Sequence, residues 1–232
     1  MSETPPGGDA RGGHGTPHAH DPRQPLANQS FWDERYRTRD ALWSAQPNSQ
    51  LVSETSDLAP GEALDVGCGE GADAIWLAER GWRVTAVDFS AVALERGAAR
   101  AIVAGAEVAQ RIDWRHEDLT KWAPPATFYD LVSAQFMHLP KDQREPLFSR
   151  LAASVAPGGC LLIVGHHPSD LQTSVPRPRM PDFLYTASDV ADALDPRSWE
   201  VIVSAARERT SIDPGGNTVI IHDAVLRAQR RK

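Results

Sequence analysis

The sequence lacks the features that would tie it to an oxidising compartment or to a membrane. Its 232 residues include two cysteines, Cys68 and Cys160, which lie far apart and outside any C-x-x-C motif. This cysteine usage excludes a disulfide framework and a zinc ribbon, and it is typical of a reducing cytosol. No apolar run approaches the roughly 20 residues of a membrane span, and the first residues contain no apolar signal-peptide segment. We therefore expect a cytoplasmic protein with no membrane partner.

Positive charge is also scarce. Lysine and arginine number 24 against 31 aspartates and glutamates, which gives a net charge of −7 and a pI near 5.6. Proteins that bind a phosphate backbone have the opposite balance, so we expect no nucleic-acid partner. The short basic end, Arg227 to Lys232, is interpreted as a solvated terminus. The length suits one domain with additions or two small domains.

Residues 1–28 are dominated by glycine, proline and polar side chains, which predicts a disordered tail. This segment contains His14, His18 and His20, whose spacing could bind a metal adventitiously, although a flexible tail is the favoured interpretation. Order is expected to begin near residue 29. Ser30 and Asp33 then resemble a capping box, and Asn48 and Ser90 are candidate caps of later helices.

Short apolar or β-branched runs alternate with helical segments through the rest of the chain. Seven strands are predicted, at residues 63–66, 82–88, 112–116, 129–134, 160–164, 199–205 and 217–226. Strand–helix alternation predicts an α/β fold, a Rossmann-like doubly wound sheet that is mostly parallel. No helix separates the last two strands, so we expect them to form an antiparallel C-terminal hairpin at one edge.

The strongest local signal is the glycine loop that follows the first strand, Gly67-Cys68-Gly69-Glu70-Gly71. Glycines allow positive φ and close approach of the backbone to a ligand, and ligands bind at the carboxyl ends of parallel strands. The second strand ends at Asp88, about 20 residues beyond the loop, where an acidic side chain binds a ribose diol. The unit is therefore predicted to bind a ribose-containing ligand.

The composition of the loop discriminates between nucleotides. A dinucleotide site has the spacing G-x-G-x-x-G, whereas this loop reads G-x-G-x-G, with Asp65 before it and Glu70 inside it. Carboxylates repel a pyrophosphate and suit a ligand with an ammonium and a sulfonium, which favours S-adenosylmethionine over NAD. Glu70 either lies near that ammonium or is a solvated residue at the helix start. An NAD-linked oxidoreductase and a non-catalytic S-adenosylmethionine-binding protein remain alternatives.

Residues 63–165 resemble the class I S-adenosylmethionine-dependent methyltransferases. The matching segments, in order, are Asp65–Gly71, Asp88, Glu117–Leu119, Tyr129–Val132 and Ala156–Ile163. A weaker similarity, in Phe31-Trp32 and the stretch WSAQPNSQLV, is to the thiopurine and tellurite methyltransferase branch. The resemblance implies that Asp88 binds the ribose and that Asp118 contacts the adenine amino group.

The resemblance also implies the full set of site residues and a division of the chain. The expected cofactor-binding residues are Trp32, Trp43, Asp65, Gly67, Cys68, Gly69, Asp88, Phe89, Asp118, Leu119 and Gln135. S-adenosylhomocysteine would be the product, and no metal is required. A single methyltransferase domain over residues 29–232 would comprise a helical lid (29–60), a cofactor-binding core (61–170), an acceptor loop and helix (171–198) and C-terminal strands (199–232).

The methyl acceptor is expected over the ends of the first, fourth and fifth strands. Candidate catalytic residues there are His138, His166 and His167, because a histidine with an ordinary pKa can act as a general base. Strand neighbours point to opposite faces, so we expect one of His166 and His167 to face the acceptor, with His166 favoured. Two histidines on opposite faces are a poor chelate, so no metal site is expected.

The acceptor class follows from what surrounds these residues. The fourth strand ends in SAQFMH rather than an N-P-P-[YF] motif, which favours a small molecule methylated at sulfur, oxygen or nitrogen. Arg177 and Arg179 could pair with an acceptor carboxylate, but solvated loop charges are the favoured interpretation. We expect a monomer or a weak homodimer.

Overall fold

A seven-stranded sheet forms the centre of the computed structural model, which describes residues 29–38, 45–137, 139–177 and 181–232. The strands are β1 (Glu62–Val66), β2 (Arg83–Asp88), β3 (Ile112–His116), β4 (Tyr129–Gln135), β5 (Val155–His166), β6 (Trp199–Ile212) and β7 (Thr218–Arg230). Their order is β3-β2-β1-β4-β5-β7-β6. The first five strands pair in parallel, and β7 runs antiparallel to both β5 and β6. The predicted fold class is confirmed.

Seven α-helices connect or flank the strands in the described residues. They are α1 (Gln29–Arg37), α2 (Ser49–Thr55), α3 (Ala72–Glu79), α4 (Ala91–Ala104), α5 (Ala106–Gln110), α6 (Lys141–Ser154) and α7 (Ala187–Ala191). The predicted caps are present, since Asn48 accepts from the backbone N–H of Gln50 at 3.0 Å and Ser90 from that of Ala93 at 3.2 Å. None of these helices is long and apolar enough to span a bilayer.

Alternate residues of the central strands pack on opposite faces of the sheet. On β5, Leu161 and Ile163 belong to the core cluster that includes α6 and α7, whereas Leu162 and Val164 belong to the cluster that includes α2, α3 and α5. All four side chains are almost fully buried. Because both faces are covered by helices, these strands read as continuous apolar runs, which made them easy to identify from sequence.

The C-terminal hairpin is longer than its sequence pattern indicated. Strands β6 and β7 extend to Ile212 and Arg230, joined by a turn of five residues. The prediction of a solvated basic terminus was wrong for residues 227–230, because β7 continues through them between β5 and β6, whereas Arg231 and Lys232 are exposed. Arg227 pairs with Asp57 at 3.3 Å, and the Arg230 guanidinium donates to the Val155 carbonyl at 2.6 Å. The short helix α5 was also not predicted, and the expected tail at residues 1–28 lies outside the described residues.

The order of the strands creates a crevice. It reverses between β1 and β4, which are neighbours in the sheet but are followed by helices on opposite faces. The connections after these strands therefore diverge and leave a space at their carboxyl ends. The register places Val66 of β1 beside Val87 of β2 and Ala134 of β4, so the three strands end at one level and their loops face the same space.

Candidate active site

A cavity of about 580 Å³ occupies this crevice. Its volume is within the range of roughly 300–1,000 Å³ that is usual for small-molecule sites. The predicted cofactor residues in its wall are Trp32, Gly67, Cys68, Gly69, Asp88, Phe89, Asp118, Leu119 and Gln135. Asp65 lies behind the glycine loop, and Trp43 is outside the described residues. The cavity therefore brings together the ends of β1, β2 and β4 with the N-terminal helix.

The glycine loop needs glycine for conformation and for space. Gly67, Gly69 and Gly71 have φ values of +70°, +51° and +76°, which L side chains rarely adopt. A Cβ on Gly67 would lie 2.5 Å from Sδ of Met137. The loop is fastened to β2, because the N–H groups of Gly67 and Cys68 donate to the Val87 carbonyl at 2.8 and 3.1 Å. The loop backbone therefore forms a fixed part of the cavity wall.

Asp88 is held in place at the end of β2. Its Oδ2 accepts from the N–H of Gly69 and its Oδ1 from the N–H of Ser90, each at 2.9 Å. Burial raises the pKa of this carboxyl, while the N–H donors oppose that shift. Each oxygen of a carboxylate can accept more than one hydrogen bond, and Asp88 is part of the cavity wall, so the group can accept hydrogen bonds from a diol.

Two more carboxylates lie next to the loop, Asp65, which is buried, and Asp73, which is partly buried. Asp65 is 2% exposed, and its Oδ2 has no hydrogen-bond partner among the described residues. Burial, followed by the charges of Asp73 and Asp88, raises its pKa well above the usual value. Asp73, in the first turn of α3, lines the cavity and accepts from the Asn48 N–H at 2.6 Å, and burial raises its pKa to about 6. A cation in the cavity would relieve the repulsion among these groups, which fits a ligand with an ammonium and a sulfonium.

Glu70 has a different partner. Its carboxylate is buried and lies 3.0 Å from Nη1 of Arg96 on α4, so it is one half of an ion pair. Neither of the two predicted interpretations, a solvated helix start or a position open to the ammonium, describes this arrangement fully.

At the other side of the cavity, Asp118 is half-exposed beside Thr120 and Lys121, whose hydrogen bonds lower its pKa.

Helix α1 covers one side of the cavity. Trp32 and Tyr36 line the wall, and Asp33 fastens the helix to the core by accepting a 2.5 Å hydrogen bond from Ser90 Oγ. Asp33 thus contacts Ser90, the cap of α4, instead of playing the predicted capping role in α1. Phe31 packs edge-on against Trp32, with ring centroids 5.7 Å apart, and is not part of the wall.

The two neighbouring histidines at the end of β5 lie on different sides, as strand alternation predicts. His166 lies in the cavity wall, with its ring centroid 4.7 Å from that of Phe136. His167 lies outside the wall, where Nδ1 accepts from the Ser169 N–H at 3.2 Å and caps a short 3₁₀ helix, Pro168–Gln172. Burial, followed by the charge of His222, lowers the pKa of His167. His138 is outside the described residues.

Two wall residues come from the hairpin and were not identified from sequence. Arg209 of β6 donates through Nε to both oxygens of Asp223 on β7, at 2.9 and 3.0 Å. Phe136, with φ of +53°, lies beside them, its ring centroid 5.8 Å from the Arg209 guanidinium carbon.

The interpretation of Arg177 as a solvated charge was wrong, because it forms a pair with the buried Asp170 at 2.9 Å. Arg179 lies outside the described residues.

The part of the chain with assigned structure contains no group of three histidine, cysteine or acidic residues that could hold a metal ion. The two cysteines in it are both free thiols. Cys68 lies in the cavity wall, where burial, followed by the charges of Asp88 and Asp65, raises its pKa well above the usual value. Its thiol therefore stays protonated at neutral pH.

Comparison with known proteins agrees with this geometry. Residues 63–159 match the methyltransferase domain family. An uncharacterized methyltransferase of Mycobacterium tuberculosis (strain ATCC 25618 / H37Rv) is 43% identical over 127 residues, which cover 54% of this chain and 61% of that protein. The match therefore spans less than two thirds of the length of this curated relative.

Solved structures show the same fold. The N-methyltransferase NodS from Bradyrhizobium japonicum WM9, in complex with S-adenosyl-L-homocysteine, superposes with a TM-score of 0.65 at 19% identity, covering 89% of this chain and all of that one. TehB from Haemophilus influenzae has a TM-score of 0.62 at 20% identity and covers 88% of this chain and 67% of its own. Residues 63–159 thus match the methyltransferase domain family, and the fold is that of S-adenosylmethionine-dependent methyltransferases, as the sequence resemblance indicated.

Proposed function

We propose that this protein transfers a methyl group from S-adenosylmethionine to a small-molecule acceptor at a sulfur, oxygen or nitrogen atom. The observation that carries the proposal is the continuity of the cavity. One end is formed by the glycine loop and Asp88, and the other by Phe136, His166 and Arg209. Cofactor and acceptor therefore have walls in one space, which an S-adenosylmethionine-binding protein without catalytic activity would not need.

The cofactor end accounts for most of the proposed binding residues. Asp88 would hold the ribose hydroxyls, the backbone at Gly67, Cys68 and Gly69 would contact the methionine part, and Asp65 and Asp73 would stabilise its ammonium. The adenine would lie toward Phe89, Asp118 and Leu119, with Trp32, Gln135 and Trp43 enclosing the ligand. When bound, S-adenosylmethionine supplies an electrophilic methyl group on a sulfonium; the chain supplies orientation and electrostatics.

The acceptor end is where the chain would control the reaction. Displacement at the methyl group requires the acceptor atom to be held in line with the departing sulfur. His166 is proposed to orient the acceptor or to take its proton, and His138 is a second candidate for that role. A thiol that ionises near neutral pH needs little help, whereas a hydroxyl or amine benefits from a base. His167 remains a proposal with less support, because its ring lies outside the cavity wall.

A small acceptor is supported by the charge and shape of the site. The acidic chain offers no electrostatic attraction to a nucleic acid, and the cavity is bordered by α1 and by the hairpin residues Arg209 and Asp223. We further propose a cytoplasmic protein that is a monomer or a weak homodimer. Support for the compartment comes from the free thiols of Cys68 and Cys160. Sedimentation of the purified chain over a concentration series would test the oligomeric state.

The proposal is tested by separating cofactor binding from methyl transfer. Isothermal titration with S-adenosylhomocysteine and NAD, side by side, should show binding of the first alone. Labelled S-adenosylmethionine should then transfer its label to members of a panel of thiols, phenols, amines and carboxylates. Binding of NAD alone would overturn the proposal, and binding of S-adenosylhomocysteine without transfer to any acceptor would favour a non-catalytic binding protein.

A further inference from the structure

Arg209 is only partly engaged by its own protein. Its Nε donates to Oδ1 and Oδ2 of Asp223 at 2.9 and 3.0 Å. In the described part of the chain, Nη1 and Nη2 make no hydrogen bond, although the side chain is two-thirds buried in the cavity wall. A guanidinium that is held by one nitrogen and keeps its two terminal nitrogens available presents a planar fork to whatever enters the cavity.

The partner of Arg209 is a fixed support. Asp223 is 1% exposed, and Oδ2 also accepts a hydrogen bond from Nε2 of Gln50 at 3.3 Å. Its backbone lies opposite His166 in the β5–β7 register, so the support stands next to the proposed acceptor contact. Because Asp223 is anchored from two directions, the Arg209 guanidinium is held in position without a ligand. Such preorganisation reduces the entropic cost of binding an anion.

Among the described residues, the other arginine of the cavity wall already has partners. Arg100 donates to the carbonyls of Glu70 and Ala45, at 3.2 and 3.4 Å. Arg207, two residues from Arg209 on β6, pairs with Glu54 outside the cavity wall. Of the two arginines that the described residues place in the cavity wall, Arg209 is thus the one at the acceptor end, and its Nη1 and Nη2 are available to a ligand.

Resting on the proposed function, we infer that the methyl acceptor carries a carboxylate and that Nη1 and Nη2 of Arg209 bind it as a two-pronged pair. The fork of a guanidinium matches the two oxygens of a carboxylate. A phosphate monoester has similar oxygens but more negative charge. Because Asp73, Asp88 and Asp118 line the same cavity, a single negative charge meets less repulsion than a double one. The ring of Phe136, between Arg209 and His166, offers an apolar surface to the body of the acceptor.

Matched acceptors test this inference on the whole chain. The probes are 2-mercaptobenzoate with 2-mercaptobenzamide, 4-hydroxybenzoate with 4-hydroxybenzamide, and short mercapto acids with their amides, together with mercaptophenyl and hydroxyphenyl phosphates of the same size. For the unaltered protein, kcat/KM should be at least about tenfold higher for an acid than for its amide, as expected for a charge-assisted hydrogen-bonded pair. The phosphate monoesters should be poorer acceptors than the acids.

Variants then assign the preference to one residue. Arg209→Gln should lower kcat/KM for acids by about 10- to 100-fold, mainly through KM, and leave the amides unchanged. Arg209→Lys should restore part of the loss. Arg197→Gln removes the same charge from the surface, where Arg197 pairs with Asp195, and it should keep the full preference. S-adenosylhomocysteine affinity should be equal in all of these proteins.

Loss of Arg209 leaves buried Asp223 without its ion-pair partner, so folding needs its own control. The double variant Arg209→Gln with Asp223→Asn removes both charges, and it should show the same selective loss on acids. The inference is overturned if amides match acids, if either Arg209→Gln protein keeps the preference, or if the unaltered protein methylates other acceptors but none of the acids. Failure of the proposed function looks different, because the unaltered chain would then either not bind S-adenosylhomocysteine or methylate no acceptor at all.

Discussion

The carboxylate of Asp88 and the backbone N–H of Gly69 are joined by a 2.9 Å hydrogen bond across the ends of two neighbouring strands. This bond couples the proposed ribose-binding side chain to the loop that would hold the methionine part of the cofactor. A change at either residue therefore disturbs both. The second Asp88 oxygen, which accepts from Ser90 at 2.9 Å, adds the start of α4 to the same unit.

Replacing Asp88 by alanine should weaken binding of S-adenosylhomocysteine by about tenfold or more, since a charged acceptor of hydrogen bonds is lost and two buried N–H groups are left without it. Isothermal titration measures the effect. Asp195→Ala is the matched control, because Asp195 is an acidic residue on the surface whose hydrogen bonds are with Arg197 and Ser198. Equal affinities for the Asp88 and Asp195 variants would contradict the ribose assignment.

A methyl group on Gly67 should damage the cofactor site through two separable effects. Its φ of +70° makes any L side chain costly by about 1–2 kcal/mol, and the added Cβ would also meet Met137 Sδ at 2.5 Å. We expect Gly67→Ala to lower the free energy of urea unfolding and to weaken S-adenosylhomocysteine binding.

The control variant Gly216→Ala separates the cost of backbone strain from the cost of steric contact at Gly67. It has a φ of +83°, and a Cβ there would meet nothing within 4 Å. Gly216→Ala should therefore show only the conformational cost and bind S-adenosylhomocysteine normally. Adding Met137→Ala to Gly67→Ala should recover part of the lost stability. If Gly67→Ala and Gly216→Ala are indistinguishable in both measurements, the loop at Gly67 has no special role.

The central sheet could be predicted because its strands are covered on both faces. Leu161, Leu162 and Ile163 are all buried, so β5 appears in the sequence as an uninterrupted apolar run. The glycine loop and Asp88 follow from the same logic, since they occupy fixed positions at the ends of such strands. These signals are local, and each is complete within about 25 residues of sequence.

The hairpin side of the site could not be predicted in this way. Strand β6 lies at the edge of the sheet, and its first half was predicted at residues 199–205. Polar residues such as Arg207, Glu208 and Arg209 occupy consecutive positions in its second half, so no apolar run marks that half as a strand. The pairing of Arg209 with Asp223 depends on strand register.

Asp73 was missed for a related reason, because an acid in the first turn of a helix is ordinary and only its contact with Asn48 reveals its position.

His166 and His167 should respond differently to removal of their rings. His166→Ala should lower turnover of a hydroxyl or amine acceptor by about 100-fold or more, as is usual for loss of a general base, with S-adenosylhomocysteine affinity unchanged. His167→Ala should keep turnover and lose about 1 kcal/mol of stability, because its ring caps the 3₁₀ helix. Single-turnover kinetics and urea unfolding measure the two effects. The base role passes to His138 if His138→Ala alone slows the reaction, and it is wrong if all three variants keep the full rate.

The raised pKa of Asp73 should make the stability of the ligand-free protein depend on pH. Burial raises the pKa of this carboxyl to about 6 from an ordinary value of 3.8, so the ligand-free protein binds a proton there more tightly than the unfolded chain does. Stability of the ligand-free protein should therefore fall as pH rises from about 4 to 6, and it should then level off as both states lose the proton. Asp65 and Asp88, whose pKa values are also raised, contribute with the same sign.

A ligand ammonium near Asp73 favours the charged carboxylate, so binding should release protons near pH 6 and strengthen as pH rises from 5 to 7 by up to about tenfold per pH unit. Isothermal titration in buffers of different ionisation enthalpy measures the protons released. Asp73→Asn should reduce both the release and the slope of affinity against pH, whereas Asp113→Asn, on the exposed part of β3, should change neither. Proton release that is identical in the Asp73→Asn protein would place the ammonium elsewhere, because a neutral amide cannot exchange a proton with the ligand.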